Sequence, residues 1–135
     1  MFDLVDGVLF SKKSDDWSTP KDLLDKLELE FGVLYDPCPL RCEDDALKMA
    51  WLEKCFVNPP YSKIKDFVAW GSNQLKFQVK LIVWLLPSRT DTKWFHEFFY
   101  NKPGVEIRFI KGRLKFGDSK NSAPFPSMLV IQRKV

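Results

Sequence analysis

Cys55-Phe56-Val57-Asn58-Pro59-Pro60-Tyr61-Ser62 is the stretch from which the fold of this chain can be read. Its apolar opening, preceded by Lys54, has the length and composition of a short buried strand. The two prolines fix φ and remove two N–H donors, so the strand ends in a stiff turn whose carbonyls point outward. The predicted result is a rigid rim carrying the Asn58 amide oxygen, the Pro59 carbonyl and the Tyr61 ring around one cavity. Such a rim suits a planar heterocycle with an exocyclic amine, because it offers two acceptors for the amine hydrogens and a face for stacking. The plain alternative is a proline-rich turn after a buried strand.

Outward from this stretch, the pattern alternates between strand and helix. Upstream, Ser18 or Thr19 is placed to cap a helix whose first position is Pro20. Leu23, Leu24, Leu27 and Phe31 follow at helical spacing, and Gly32 closes the segment. Val33-Leu34-Tyr35 is a short strand candidate leading into Asp36-Pro37. Downstream, Ile64, Phe67, Val68 and Leu75 predict a helix, and Val79 to Leu86 reads as a central strand buried on both faces. Thr90 or Asp91 is placed to cap a helix carrying Trp94, Phe95, Phe98 and Phe99. Val105 to Ile110 and Met128 to Gln132 are the last two strands. This order predicts an α/β fold with a mostly parallel open sheet. The last two strands have no helix between them, so one is expected to run antiparallel at or near the edge, close to the C-terminal end.

Ligands of open α/β sheets sit outside the carboxyl ends of the strands. Asp36, Asn58 and Pro87-Ser88 each follow a strand on that side, so three polar strand ends are expected to converge on one cleft.

With 135 residues, 45% of them apolar, the chain is expected to form a single domain, 1–135, with a real core. Twelve Phe and five Trp supply most of that core and leave a few rings for stacking. A net charge of +3 permits a polyanionic partner without requiring one. There is no apolar run long enough for a membrane span. Met1 to Ser11 lacks the features of a signal peptide, and Met1 to Lys13 reads as a loosely attached arm. Cys38, Cys42 and Cys55 form no disulfide framework and fit a reducing cytoplasm. They also lack the second ligand pair a zinc site needs, so no metal is expected.

Other segments carry a resemblance to a family. Asn58 to Tyr61 looks like the catalytic motif of the adenine-N6 DNA methyltransferases. Trp17-Ser18-Thr19-Pro20 resembles the Thr-Pro element that those enzymes place near the methionine end of S-adenosylmethionine. Tyr35-Asp36-Pro37-Cys38 resembles their Asp-Pro cofactor motif. Asp44-Asp45-Ala46-Leu47, upstream of Trp51, sits where the family contacts the cofactor adenine. Leu86 to Thr92 with Trp94-Phe95, Arg108 to Gly117, and Ala123 to Ser127 resemble later segments of the small phage-type Dam adenine methyltransferases. The resemblance runs from about Asp15 to Ile131.

The resemblance implies a reduced Rossmann-like, S-adenosylmethionine-dependent methyltransferase fold. It implies a site-specific DNA adenine-N6 methyltransferase, encoded by a phage or a prophage and working in the cytoplasm of a bacterial host. Asn58, Pro59, Pro60 and Tyr61 are then the catalytic set. Trp17, Thr19, Pro20, Asp36, Pro37, Cys38, Asp45 and Leu47 are the cofactor set. Asn58 and the Pro59 carbonyl would accept the amine hydrogens, and Tyr61 would stack on the base. A base within a duplex cannot reach such a pocket, so double-stranded DNA must present it flipped out. The chain departs from the larger enzymes by lacking a Gly-rich turn after Asp36-Pro37; Cys38-Pro39-Leu40-Arg41 stands there instead. The link to Asp45 is short, which leaves the ribose-holding acid open among Glu43, Asp44 and Asp45, with a solvated acidic turn as the alternative.

No strong base lies near the motif in sequence, and His96, the only histidine, reads as structural. The chemistry then rests on hydrogen bonding and positioning. Lys111, Arg113 and Lys115 alternate around Gly112, with Arg108 upstream, and in a strand they would share one face. That face would grip phosphates, with a lysine-guarded edge strand as the alternative. Ser62, Arg89 and Lys93 are placed to join the DNA surface. No separate target-recognition domain is expected within 1–135, so specificity would fall to the loops Ser88 to Lys93 and Lys111 to Pro126, and a homodimer would add surface. Two other readings stand beside this one: methyl transfer to RNA or protein glutamine, and an inactive nucleic-acid-binding descendant.

Overall fold

The computed structural model describes residues 4–5, 7–8, 18–39, 45–116 and 123–135. Two short strands, β1 (Leu4–Val5) and β2 (Gly7–Val8), pair with each other antiparallel. The expected N-terminal arm otherwise lies outside the described residues.

Helix α1 (Lys21–Phe31) ends at Gly32, whose φ of +85° lets its N–H reach back to the Glu28 carbonyl. The predicted strand Val33 to Tyr35 reduces to one parallel bridge between Tyr35 and Cys55, beside β3 (Lys54–Val57). Beyond Asn58 to Pro60, a 3-10 turn (Tyr61–Lys63) runs into α2 (Ile64–Gln74). Then come β4 (Leu81–Pro87), α3 (Lys93–Phe98), β5 (Val105–Phe109) and β6 (Ser127–Arg133).

The main sheet has the order β3-β4-β6-β5. β3 and β4 are parallel, pairing Lys54 with Leu81 through Val57 with Trp84. β6 is antiparallel to both β4 and β5, so the sheet is mixed rather than mostly parallel. The antiparallel strand is also interior; the edge is β5, which runs with β3 and β4. A hairpin return from β5 can pair on only one side of it, and β6 takes the side next to β4. The ends of β3, β4 and β5 and the beginning of β6 therefore share one rim.

Both faces of the sheet are covered. Cys55, Val57, Ile82, Trp84, Leu86, Met128 and Val130 pack against α2, α3 and the 3-10 turn Asp45–Lys48. Phe56, Val83, Leu85, Leu129 and Ile131 pack against Leu27 of α1, Leu34, Phe116 and Ala123. β4 is buried throughout, as its unbroken apolar run requires. Gly71 permits the closest approach of helix to sheet: a Cβ there would lie 2.6 Å from the Trp84 ring and 2.7 Å from that of Trp51. Trp84 Nε1 donates to Gln132 Oε1 at 3.0 Å, and Gln132 Nε2 donates to Ser72 Oγ at 2.9 Å, so the polar atoms of the buried Trp84 and Gln132 side chains are paired.

Candidate active site

Asn58 leaves β3 on the shared rim, and its Nδ2 donates to Thr19 Oγ1 at 3.2 Å. This bond joins two segments 39 residues apart. Ser18 or Thr19 was expected to cap α1, with Pro20 as its first position. Instead Pro20, which has no side-chain acceptor, holds the N-cap position, and the Thr19 hydroxyl is turned to Asn58. In this arrangement the amide nitrogen faces Thr19 and Oδ1 is directed the other way. Pro59 is buried and Pro60 half-buried, which holds the turn in place.

Tyr61 meets Phe125 edge-on, with ring centroids 4.9 Å apart. Burial pushes its phenol well above the ordinary range, and the positive charge of Arg89 opposes this only in part. The two rings, with Ile64, Pro87, Arg89 and Pro124, line a cleft of about 270 Å³. Beside it the Ser88 and Ser127 hydroxyls are buried without a hydrogen-bond partner among the described residues. An unsatisfied buried hydroxyl costs about 1–3 kcal/mol. Two of them at adjoining strand ends mark this rim as more polar than packing needs.

Asp36 follows the Tyr35 bridge on the same rim. Its Oδ1 accepts the Cys38 backbone N–H at 2.8 Å. Burial raises its carboxyl to about 6, with that hydrogen bond pulling the other way, and no described cation offsets the burial. Pro37 and Cys38 are buried beside it. Cys38 is disulfide-bonded, at odds with the all-thiol expectation, whereas Cys55 is a free buried thiol.

The other predicted residues scatter. Trp17, Glu43 and Asp44 lie outside the described residues. Asp45 is exposed at the start of its 3-10 turn, and Leu47 packs against the α2-side core. Ser62, Arg89 and Lys93 are exposed. Lys111, Arg113 and Lys115 are exposed as well, but not on a strand: β5 ends at Phe109, and the chain turns at Gly112, with φ of +77°. Their alternation survives without a ladder. Leu114 and Phe116 point to the core between them, and Ala123 N–H donates to the Leu114 carbonyl at 2.7 Å. Arg108 does not belong with these cations, since it is held by Glu30 and Glu106 at 2.7 Å and lies over the Phe31 ring. His96 binds the Thr90 carbonyl at the surface, consistent with its structural reading.

Phe125 was quoted in the sequence without a role. Its signal was present: an aromatic between Pro124 and Pro126 is the same stiff presentation of a ring as Pro60-Tyr61. Ser127 had no such signal, because its burial depends on strand pairing. A second cleft of about 350 Å³ opens at the opposite pole among Ser72, Lys76, Phe98, Lys102, Gln132 and Lys134, away from every motif. Among the described residues, no cluster of His, Cys, Asp and Glu could hold a metal, and no helix is long and apolar enough to cross a membrane.

Residues 8–135 match the family model described as DNA N-6-adenine-methyltransferase (Dam). A protein of Haemophilus phage HP1 (strain HP1c1), named DNA N-6-adenine-methyltransferase, is 28% identical over 141 residues, covering 90% of this chain and 81% of that relative. No solved structure matches the chain.

Proposed function

Because the chain belongs to the DNA N-6-adenine-methyltransferase (Dam) family, we propose that it transfers the methyl group of S-adenosylmethionine to the N6 amine of an adenine flipped out of duplex DNA. The observation that carries this reading is the hydrogen bond from Asn58 to Thr19, which joins the proposed base-binding and cofactor-binding segments.

The residues on the rim fit the methyl donor. A buried carboxyl with no described cation to offset its burial suits a ligand ammonium, and the methionyl amino group is one. Asp36 would hold that group, with Thr19-Pro20 and Pro37-Cys38 shaping the walls. S-adenosylmethionine supplies an electrophilic methyl on a sulfonium centre.

The adenine amine is a weak nucleophile because its lone pair is delocalised into the ring. Asn58 Oδ1 and the Pro59 carbonyl would accept its two hydrogens, concentrating electron density on nitrogen and stabilising the positive charge that develops there. Orienting the amide through Thr19 removes the need to reorganise it during reaction. Tyr61 would stack on the base, with Phe125 closing the cleft beside it. The surplus proton would leave to water. Arg89, Lys93 and the Lys111, Arg113, Lys115 segment would bind the phosphates. The order β3-β4-β6-β5, with helices on both faces, is compatible with a reduced Rossmann-like methyltransferase fold.

The test is mass analysis of nucleosides from duplex DNA after incubation with the protein and S-adenosylmethionine, with RNA and protein substrates in parallel. N6-methyladenine in the DNA is the expected product. Methylation confined to RNA or protein, or none at all despite cofactor binding, overturns the proposal.

A further inference from the structure

The edge strand β5 has an open side. Ile110 N–H donates to the Ser127 carbonyl, and Arg133 N–H donates to the Gly104 carbonyl. Because hydrogen-bonded and non-hydrogen-bonded pairs alternate in an antiparallel ladder, Glu106 and Arg108 turn their main-chain groups toward β6. Val105, Ile107 and Phe109 turn theirs away from it. The Val105 N–H is taken by the Lys102 carbonyl. The main-chain groups of Ile107 and Phe109 face outward, and among the described residues no other strand pairs with β5.

Natural edge strands are blunted by lysine, proline or a bulge. Val105-Glu106-Ile107-Arg108-Phe109 contains no lysine, proline or bulge; its two charges are tied to each other rather than left as a like-charged guard, and Phe109 is 66% exposed. The order apolar, acidic, apolar, basic, apolar is also complementary to its own reverse.

We infer that β5 is the interface of a homodimer, in which two copies pair antiparallel about a two-fold axis through Ile107 and join their sheets into one. Ile107 of each copy exchanges both backbone hydrogen bonds with its equivalent. Phe109 N–H of each reaches the Val105 carbonyl of the other. Glu106 then stands opposite Arg108 of the other copy, and Val105 opposite Phe109. Those facing pairs are the non-hydrogen-bonded kind for the two charges, where side chains approach most closely. Parallel pairing in register would instead set Glu106 against Glu106 and would not close. The charges face the α1 side, where Glu30 already holds Arg108, so the interface extends an existing ion-pair network.

Sedimentation of the whole protein from micromolar to hundreds of micromolar concentration tests this. The wild type should dimerise, and Phe109→Lys should be monomeric with unchanged thermal unfolding, since that side chain is exposed. Glu106→Arg and Arg108→Glu should each be monomeric alone, and their equimolar mixture should dimerise, because every facing pair is then opposite in charge. A wild type that stays monomeric overturns the proposal, as does a dimer that survives Phe109→Lys, or a mixture that fails to associate. Strong protection of the Ile107 and Phe109 amides from hydrogen exchange in a monomeric protein would mean that the chain covers this edge itself, which also overturns it.

Discussion

Asn58 and Thr19 meet through a hydrogen bond of 3.2 Å from the Asn58 amide nitrogen to the Thr19 hydroxyl. On the proposed function, the bond would give Thr19 a positioning part that its place before a helix does not suggest. Thr19→Val keeps the volume but removes the acceptor, and its stability cost should be about 1 kcal/mol. The rate of methyl transfer should fall about tenfold or more through kcat, because the amide loses its orientation. Thr19→Ser should restore it. An unchanged kcat in Thr19→Val would remove the positioning role.

Asn58→Ala should lower methyl transfer by about 10²-fold or more, the usual cost of losing one preorganised group aimed at developing charge. The fold and the affinity for S-adenosylhomocysteine should survive nearly intact. Single-turnover kinetics beside calorimetric binding separates the two effects. Near-normal turnover would show that the motif is only a turn.

Asp36 makes stability and ligand binding oppose each other. Burial lifts its carboxyl from 3.8 to about 6, so the native state holds a proton that the unfolded chain has already lost. The stability tied to the neutral form is fully present below the lower value and is lost as pH rises through about 6. Asp36→Asn keeps an acceptor for the Cys38 N–H and removes the buried charge. It should stabilise the protein at neutral pH by on the order of 1–2 kcal/mol, with the gain fading in acid. S-adenosylhomocysteine should bind the wild type more tightly as pH rises through 6 and bind the variant poorly. Thermal unfolding and calorimetry across pH check both halves; equal ligand affinity in the two proteins would detach Asp36 from the cofactor.

Gly71→Ala tests the packing behind the site. Alanine gains about 1 kcal/mol of helix propensity over glycine. Its methyl would sit 2.6 Å from the Trp84 ring, and overpacking of this kind costs about 1–3 kcal/mol. Two rigid indoles cannot both give way, so the melting temperature should fall, while kcat stays close to that of the wild type.

Lys111, Arg113 and Lys115 should behave differently from Arg108. Replacing any of the three by alanine should weaken DNA binding on all sequences alike and make the slope of log affinity against log salt shallower by roughly one unit. Arg108→Ala should leave that slope unchanged and lower the melting temperature slightly, because its charge is spent on Glu30 and Glu106. Unchanged slopes for all three variants would move the DNA surface to Arg89 and Lys93.

The sequence by itself determined the elements, because each rests on a local signal. The apolar run ending at Leu86 can only be a buried strand. The spacing of Leu23, Leu24, Leu27 and Phe31 can only be a helix face, and the prolines after Asn58 stiffen their turn in any fold. The rim was legible for the same reason, since Asn58 and Ser88 each follow a strand and Asp36 follows the bridge at Tyr35. Tertiary structure alone decided which strands are neighbours. Hairpin closure placed β6 inside the sheet and left β5 at its edge. Pairing across 39 residues turned Thr19 from a helix cap into the partner of Asn58. The return of the chain through Pro124 and Pro126 set Phe125 against Tyr61. An ion pair with Glu30, 78 residues away, withdrew Arg108 from the basic segment to which it belongs in sequence. Local residues fix φ and ψ and the period of burial; the partner of a side chain is fixed by contacts between segments far apart, which no local pattern encodes.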